Sequence, residues 1–225
     1  MGCNQGCIDS VNRGGPGISC TVNPWAGREY KLVSTRVAKP EKVVVVGGGP
    51  AGLNAAWVLV DRGYQVALVE EQKLLGGQLN LAALPPGKEE FEEAIDYLVR
   101  KVQTAGVEVI LGKRADVSLL RSLKPNKIVM ATGALPITPA IEGLDTALAV
   151  QAWDVLRLGT VEGHHVAVIG GGVVGIETAE FMSMLGKAVT VIEILPFWGN
   201  GLEPICRWYI KNRRNYSGPP TGSAI

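Results

Sequence analysis

Cysteine is missing from the whole stretch between residues 21 and 205, which excludes a redox-active cysteine pair from the central part of the chain. Long apolar runs are missing too, since no segment reaches the roughly eighteen residues that a membrane-spanning helix needs. Charge of one sign is not in excess either, because 22 basic residues stand against 21 acidic ones without a long basic block. Nucleic acid and membranes are therefore not expected as partners.

The N-terminus lacks the features of a targeting segment. The residues MGCNQGCIDS have neither the basic region nor the apolar region of a secretory leader, and Gly6 replaces the Ser or Thr of a myristoylation signal. We therefore expect a soluble, cytoplasmic protein. With 225 residues and 47% hydrophobic content, the chain has enough apolar material for one or two domains.

What the sequence does contain is one unit that occurs twice. Residues 43–71 read VVVVGGGPAGLNAAWVLVDRGYQVALVEE, and residues 165–193 read HVAVIGGGVVGIETAEFMSMLGKAVTVIE. Each copy has a β-branched apolar run, a glycine-rich turn, an Ala-rich helix, a glycine that ends it, and a second apolar run closing on an acid. Gly47 and Gly170 are 123 residues apart, and Glu70 and Glu193 are separated by the same number of residues. The repeat predicts an α/β fold with two Rossmann-like dinucleotide-binding units.

The remaining segments complete this organisation. Residues 88–106 carry apolar positions at helical spacing and predict a helix that Gly106 ends. Apolar runs at 107–111 and 127–130 predict two further strands, whereas the first 40 residues read as a loop-rich arm and the residues after 201 as an irregular tail. We expect a cysteine-rich arm over 1–40, a first nucleotide-binding domain over 41–149 and a partial second one over 150–225.

The first glycine loop has the residue types that a dinucleotide requires. Gly47 permits a tight turn, Gly49 lets the backbone approach a pyrophosphate, and Gly52 allows close packing of helix on strand. The N–H groups and positive dipole end of the following helix attract the phosphates. Glu70 ends the next strand, where its carboxylate can accept hydrogen bonds from ribose hydroxyls. The alternative, a glycine-rich turn that binds nothing, does not explain why strand, helix and acid all occur in place.

The second loop, with Gly170, Gly172, Gly175 and Glu193, has the same context. A carboxylate at Glu193 favours NAD over NADP because it repels a 2′-phosphate, although one neighbouring cation can reverse this preference. Two short features separate the roles of the two units: LGGQL at residues 75–79 and Ala131-Thr132-Gly133 after the fourth apolar run both place small residues where a cofactor could lie against the backbone.

These features together carry a resemblance to a known family. The chain resembles the C-terminal half of the flavoenzymes grouped with 2,4-dienoyl-CoA reductase and trimethylamine dehydrogenase, through CNQGCIDSVNRGGPGISCTVNP, GGGPAGLNAA, GGQL, PGKEEF, VMATGALPITPAIEG and GGGVVGIETAE. The resemblance extends from residue 2 to about residue 197. It implies an FAD domain with an inserted nicotinamide domain, and a 4Fe–4S cluster that links them to a barrel holding FMN and the substrate. Hydride would pass from NAD(P)H to FAD, and single electrons would pass on through the cluster to FMN.

The resemblance also assigns residues to each cofactor. FAD would lie against Gly47, Gly49, Ala51, Gly52, Glu70, Glu71, Gly77, Gln78, Ala131, Thr132 and Gly133. The nicotinamide dinucleotide, with NADH favoured, would face Gly170, Gly172, Gly175 and Glu193. Acid–base catalytic residues are not expected in the chain, because the cofactors carry the hydride chemistry.

The N-terminal cysteines match the family's cluster ligands only in part. Cys3, Cys7 and Cys20 correspond to the second, third and fourth cysteines, and the first would fall one residue before Met1. Because thiolates hold such clusters, the loss of one ligand leaves a labile or absent centre. Three free thiols on a mobile arm, or a Zn²⁺ site without a clear fourth ligand, are the alternatives.

Both ends of the chain depart from the family pattern. We therefore expect the chain to be a fragment from an interrupted or shifted reading frame. Neighbouring DNA that does not continue the family sequence in any frame would contradict this expectation. Three functions stay open at this point. The chain is the FAD- and NAD(P)H-binding part of an iron–sulfur flavoprotein, a truncated non-catalytic remnant that binds a dinucleotide or docks on a partner, or an electron-transfer subunit whose FMN barrel is encoded separately. Bleaching of a yellow protein by NADH would distinguish the first from the second.

Overall fold

The computed structural model describes residues 2–3, 5–12, 14, 17–144, 148–202 and 204–213, with the backbone alone at residues 206, 209 and 211–213. The chain divides into two compact units. Unit 1 comprises the described residues of 1–7, 16–83 and 87–135, and unit 2 comprises those of 8–15, 84–86 and 136–225. Within the described ranges, no helix is long and apolar enough to cross a membrane.

The two repeated segments fold in the order strand, helix, strand, as the repeated pattern predicts. Up to residue 135 they are α1 (Gln5–Asn12), β1 (Lys42–Val46), α2 (Pro50–Asp61), β2 (Gln65–Val69), α3 (Leu79–Ala82), α4 (Glu90–Ala105), β3 (Glu108–Ile110), α5 (Val117–Leu123) and β4 (Lys127–Met130). Beyond it they are α6 (Ala152–Leu158), β5 (His165–Ile169), α7 (Val173–Met184), β6 (Ala188–Ile192) and α8 (Pro204–Arg213).

Unit 1 is built on a four-stranded parallel sheet in the order β3-β2-β1-β4. The register places Val44 of β1 beside Ala67 on one side and Ile128 on the other. Because all four strands run in the same direction, their carboxyl ends meet at one edge, which is where open α/β sheets bind ligands.

The core of unit 1 lies on both faces of this sheet, because successive side chains of a strand point to opposite faces. Val45 and Leu68 are fully buried on the face that packs against Leu53 of α2 and Val102 of α4. On the other face, a cluster that includes Val44, Val46, Ala67 and Val69 packs against α5 through Leu119, Leu120 and Leu123. The sheet therefore forms the middle of three layers, and the loops at its carboxyl edge are held on a rigid base.

Unit 2 repeats the same βαβ arrangement on a smaller scale. Strands β5 and β6 pair in parallel, with Val168 of β5 beside Val191 of β6. Helix α7 packs on both strands and on α6, and it buries Ile176, Ala179 and Met182. The α/β fold with two Rossmann-like units is thus confirmed.

Several helices and strands end where short-range features of the sequence predict. Gly63, Gly106 and Gly186 follow α2, α4 and α7 with φ values of 90°, 78° and 77°, and all three adopt the left-handed conformation that ends a helix. Strand β4 has the predicted bounds. The tail differs from the sequence-based expectation, because residues 204–213 form α8. Pro204 begins this helix, and proline is compatible with a first helical turn, where its missing N–H has no partner to lose.

Candidate dinucleotide-binding sites

The first glycine loop connects β1 to α2 at the carboxyl edge of the sheet in unit 1. Gly47 has a φ of +110°, and a Cβ added there would lie 2.2 Å from the carbonyl oxygen of Ala131. A Cβ on Gly52 would lie 1.8 Å from the carbonyl oxygen of Gly47. Both positions therefore require glycine, because a side chain would collide with backbone atoms, those of the segment after β4 at Gly47 and those of the loop itself at Gly52.

The N-terminus of α2 leaves backbone donors at this loop. Gly49 is the N-cap, Pro50 follows it, and no side chain caps the helix. The N–H groups of Ala51 and Gly52 belong to the first turn, where a helix offers no carbonyl acceptor within itself. These donors and the positive end of the helix dipole suit the negative charge of a pyrophosphate.

A second glycine segment, residues 75–78, closes on the first loop. The N–H of Gly76 donates to the carbonyl oxygen of Gly48 at 2.9 Å. A Cβ on Gly77 would lie 2.8 Å from Cα of Gly49, so the two backbones are in direct contact. The tertiary structure therefore brings the LGGQL segment to the glycine loop.

The segment after β4 reaches the same place. The side chain of Gln78 donates from Nε2 to the carbonyl oxygen of Ala134 at 2.8 Å. A Cβ on Gly133 would lie 3.1 Å from that Nε2. Three loops of unit 1 thus converge: residues 47–52, 75–78 and 131–134.

The carboxylate of Glu70 is held rigidly beside these loops. The side chain is only 7% exposed. Its Oε2 accepts a hydrogen bond from the N–H of Gly48 at 2.5 Å, and its Oε1 accepts one from the N–H of Gln72 at 2.8 Å. A carboxylate has about four acceptor positions, so two remain for ribose hydroxyls. Glu71 and Thr132, which the resemblance adds to the FAD site, have exposed side chains.

Unit 2 reproduces this geometry around Glu193. Its Oε2 accepts from the N–H of Gly171 at 2.7 Å, and its Oε1 accepts from the N–H of Leu195 at 2.9 Å. A Cβ on Gly175 would lie 1.8 Å from the carbonyl oxygen of Gly170, as in the first loop. Gly172 is the N-cap of α7 and lacks a side-chain capping partner.

The repeat continues further than the sequence motif suggests. The N–H of Gly199 donates to the carbonyl oxygen of Gly171 at 2.6 Å, the counterpart of the bond between Gly76 and Gly48. Trp198 lies beside the same loop, with its Cβ 3.3 Å from where a Cβ on Gly171 would stand. Sequence reasoning missed these two residues. The 123-residue offset would have found them, because it relates Leu75 to Trp198 and Gly76 to Gly199.

The hydrogen bonds to the Glu193 carboxylate shift its pKa. Backbone hydrogen bonds from Leu195 and then from Gly171 favour the ionised form and lower its pKa below the ordinary value. These bonds are therefore complete above the ordinary glutamate pKa of about 4.3 and are lost as the pH falls through the lowered value. We expect the Glu193 carboxyl to titrate below free glutamate in a ¹³C NMR titration, and a midpoint at or above the free value would contradict the hydrogen-bonded geometry.

The three N-terminal cysteines lie in unit 1. The N–H of Gly6 donates to Oγ1 of Thr21 at 3.1 Å, and Oγ of Ser19 donates to the carbonyl oxygen of Gly6 at 3.0 Å. These bonds hold the beginning of α1 against residues 19–21, next to Cys7 and Cys20. Backbone hydrogen bonding from Asn23 and then Val22 lowers the pKa of the exposed Cys20 thiol.

The described residues nevertheless do not form a metal centre. No group of three or more His, Cys, Asp or Glu side chains among them is placed to hold a metal ion. Cys3, Cys7 and Cys20 are therefore not brought together as one ligand set in the described part of the chain. Three thiolates are also one fewer than a 4Fe–4S cluster requires, so this donor set by itself does not fit the cluster.

The fold and the two loops define the class of protein. Parallel βαβ units with a glycine loop at the carboxyl edge and an acid after the second strand are characteristic of dinucleotide-binding α/β proteins. The chain belongs to the pyridine nucleotide-disulphide oxidoreductase family, whose profile matches residues 41–218. Within that range the sequence has Cys206 alone, so it does not encode the vicinal dithiol with which disulphide reductases react.

Individual relatives agree with the resemblance found in the sequence. An NADH oxidase of Thermoanaerobacter brockii is 42% identical over 92% of this chain and 33% of its own length. An N,N-dimethylglycine/sarcosine dehydrogenase of Chromohalobacter salexigens is 30% identical over 83% of this chain and 28% of its own length. The structure of a 2-naphthoyl-CoA reductase in complex with 2-naphthoyl-CoA superposes with a TM-score of 0.87 and 31% identity, over 94% of this chain and 32% of that one.

These comparisons have two consequences. The chain carries a pyridine nucleotide-disulphide oxidoreductase domain, and its resemblance to the reductases and amine dehydrogenases is confirmed. The chain spans about a third of the length of the relatives that it matches.

Proposed function

We propose that unit 1 binds FAD, that unit 2 binds NADH, and that the chain accepts hydride from NADH and passes electrons on to an FMN-containing barrel domain or subunit. The observation that carries the proposal is the convergence of three backbone loops of unit 1 around the fixed carboxylate of Glu70. Such a cradle suits an extended dinucleotide, because it offers N–H groups to the phosphates and an acceptor to the ribose in one place.

The residues of the chain contribute binding and orientation. A bound flavin supplies the hydride chemistry itself, through its capacity to take up two electrons. The backbone N–H groups at Gly49, Ala51 and Gly52 would stabilise the pyrophosphate charge, and the open acceptor positions of Glu70 would orient the adenosine ribose. The contacts between Gly49 and Gly77, with Gln78 anchored to Ala134, would hold the loops against the rest of the cofactor.

The proposed FAD site comprises a defined set of residues from these loops and the strand between them. It consists of Gly47, Gly49, Ala51, Gly52, Glu70, Glu71, Gly77, Gln78, Ala131, Thr132 and Gly133. The proposed nicotinamide site comprises Gly170, Gly172, Gly175 and Glu193. The carboxylate of Glu193 supports a preference for NADH, because the negative charge repels the 2′-phosphate of NADPH.

The proposal that electrons pass to a substrate-reducing or substrate-oxidising domain is supported by the relatives of the chain. A 2-naphthoyl-CoA reductase and an N,N-dimethylglycine/sarcosine dehydrogenase both contain a region similar to this chain. This supports a module that exchanges electrons with a separate domain, and that domain would determine the substrate.

Reconstitution of the purified full chain tests the proposal. We expect the protein to retain FAD through gel filtration and not FMN, because only FAD carries the adenosine diphosphate that the cradle recognises. We expect anaerobic NADH to bleach the bound flavin. Failure to retain FAD would refute the assignment of unit 1, and retained FAD that NADH does not bleach would favour the non-catalytic alternative.

A further inference from the structure

Asn200 and Gly201 lie at the centre of a tight turn in unit 2. The N–H of Leu202 donates to the carbonyl oxygen of Gly199 at 3.1 Å, and Gly201 has a φ of +89°, which suits the third residue of a type II turn. The two end residues of the turn are buried, whereas Asn200 and Gly201 are exposed. The N–H of Gly201 forms no hydrogen bond with any residue in the described ranges. The centre of the turn is therefore open to water.

The turn lies against the second glycine loop. The carbonyl oxygen of Asn200 is 3.9 Å from where a Cβ on Gly172, the N-cap of α7, would stand. Cγ2 of Val173, the first residue of α7, is 3.6 Å from where a Cβ on Gly201 would stand. A charge that forms on this turn therefore stands beside the N-terminus of α7, whose backbone donors and positive dipole end suit an anion.

The internal repeat gives the turn a counterpart in unit 1. Asn200 follows Gly77 by 123 residues, and Gly172 follows Gly49 by the same number. In unit 1, Cα of Gly77 lies 3.8 Å from where a Cβ on Gly49 would stand. Asn200 thus occupies, in unit 2, the position of a glycine that belongs to the proposed FAD site.

The first residue of the turn is held by its neighbours. Cδ1 of Leu202 and Cδ of Arg207 lie 3.2 and 3.3 Å from where a Cβ on Gly199 would stand. The guanidinium carbon of Arg207 lies 5.3 Å from the centre of the Phe197 ring, which precedes the turn. The turn therefore keeps its place beside the second loop while its two central residues stay exposed.

We propose that Asn200 is a site of spontaneous deamidation, and that the carboxylate formed there weakens the binding of a nicotinamide dinucleotide at the second glycine loop. Asn200 is the only asparagine in the sequence that a glycine follows. Glycine hinders the reaction least, because it has no side chain and permits the widest range of backbone angles. The reaction depends on the turn alone, whereas its effect on binding rests on the proposed function.

The reaction is a cyclisation followed by hydrolysis. The backbone nitrogen of Gly201 loses its proton and bonds to Cγ of Asn200, and the side-chain nitrogen takes up a proton and leaves as ammonia. Water then opens the cyclic imide at either of its two carbonyl carbons. The product is an aspartyl residue, or an isoaspartyl residue in which the backbone continues through the former side chain. One water enters, one ammonia leaves, and no oxidant is consumed.

Mass spectrometry of the purified full chain, incubated at neutral pH, tests the reaction. We expect the peptide that contains Asn200 to gain the mass that separates a carboxyl group from an amide, and to split into aspartyl and isoaspartyl forms on chromatography. The peptides that contain Asn54 and Asn126 are internal controls, because alanine and lysine follow these asparagines. A synthetic peptide of residues 197–203 is the positive control.

Calorimetry with NAD⁺ measures the consequence. For Asn200→Asp, which has the charge of the product, we expect the Kd to rise about tenfold, because a carboxylate beside the helix terminus repels the pyrophosphate. Asn126→Asp is the matched control, since it adds a carboxylate at an exposed asparagine of unit 1. It is expected to change the Kd by less than about twofold. Asn200→Gln is expected to keep its own affinity throughout the incubation, whereas the wild-type chain loses affinity.

The outcomes separate the inference from the proposed function. No conversion at Asn200, under conditions that convert the synthetic peptide, would overturn the inference and leave the proposed NADH site in place. Equal NAD⁺ affinity of the wild-type chain and Asn200→Asp would overturn the effect on binding. A wild-type chain that binds no NAD⁺ would refute the assignment of unit 2 together with that effect, while the mass of the Asn200 peptide still decides the reaction. If Asn200→Asp unfolds, deamidated wild-type chain separated by ion exchange takes its place.

Discussion

Substitution of Gly52 by alanine is expected to reduce the affinity for FAD by about 100-fold, the equivalent of about 3 kcal/mol. In a helix the change from glycine to alanine is otherwise favourable by about 1 kcal/mol. Here the new Cβ would lie 1.8 Å from the carbonyl oxygen of Gly47, a backbone atom that can move only if the loop moves. Displacement of the loop moves its N–H groups away from the pyrophosphate. Calorimetric titration with FAD measures the loss.

The second unit supplies the control for this experiment. In Gly175→Ala the added Cβ would lie at the same distance, 1.8 Å, from the carbonyl oxygen of Gly170. We therefore expect Gly175→Ala to lose NADH binding and to keep FAD, whereas Gly52→Ala loses FAD. Loss of FAD in both variants, with unchanged unfolding temperatures, would show that the two loops do not serve separate cofactors.

Replacement of Glu70 by glutamine is expected to lower both the free energy of unfolding, by about 2–3 kcal/mol, and the affinity for FAD, by at least about tenfold. The buried carboxylate accepts from the N–H groups of Gly48 and Gln72. The glutamine amide has one oxygen and one NH₂ group in place of the two carboxylate oxygens. One of the two backbone N–H groups then faces the NH₂ group and loses its acceptor. Denaturant unfolding and FAD titration measure the two effects.

Glu92→Gln is the control for charge, since it removes one carboxylate from an exposed position of α4. It is expected to leave both quantities within about 0.5 kcal/mol of wild type. If Glu70→Gln behaved like Glu92→Gln, the carboxylate would not hold the glycine loop, and the proposed ribose contact would lose its physical basis.

Many elements of the fold could be predicted because their signals are local. The β-branched run before Gly47 forms β1, the apolar positions of residues 90–105 form α4, and Gly106 ends that helix with a positive φ. Helices α1 and α8 were not predicted, because each is short and its few apolar positions do not distinguish a helix from a loop. Contacts with other segments help to fix α1. Thr21 and Ser19, for example, bond to Gly6 of α1 across more than ten residues of chain.

The candidate sites divide in the same manner. The glycines and acids of both units were recognisable because each has a distinct conformational or charge requirement within a short motif. The role of Gly199 was missed, because a single glycine after a strand is also an ordinary turn residue unless the 123-residue offset from Gly76 is applied. Its hydrogen bond to Gly171 depends on the tertiary structure, which places the segment after β6 against the second glycine loop.

The sequence by itself determined the α/β class, the two βαβ units and the residues that must be glycine, because side-chain periodicity and the steric demands of tight turns act over a few neighbouring residues. Only the tertiary structure decided that residues 75–78 and 131–134 close on the first loop, that Glu70 and Glu193 are each fixed by two backbone donors, and that Arg207 lies over Phe197. These contacts join residues far apart in the chain, and their geometry depends on how the helices and strands between them pack.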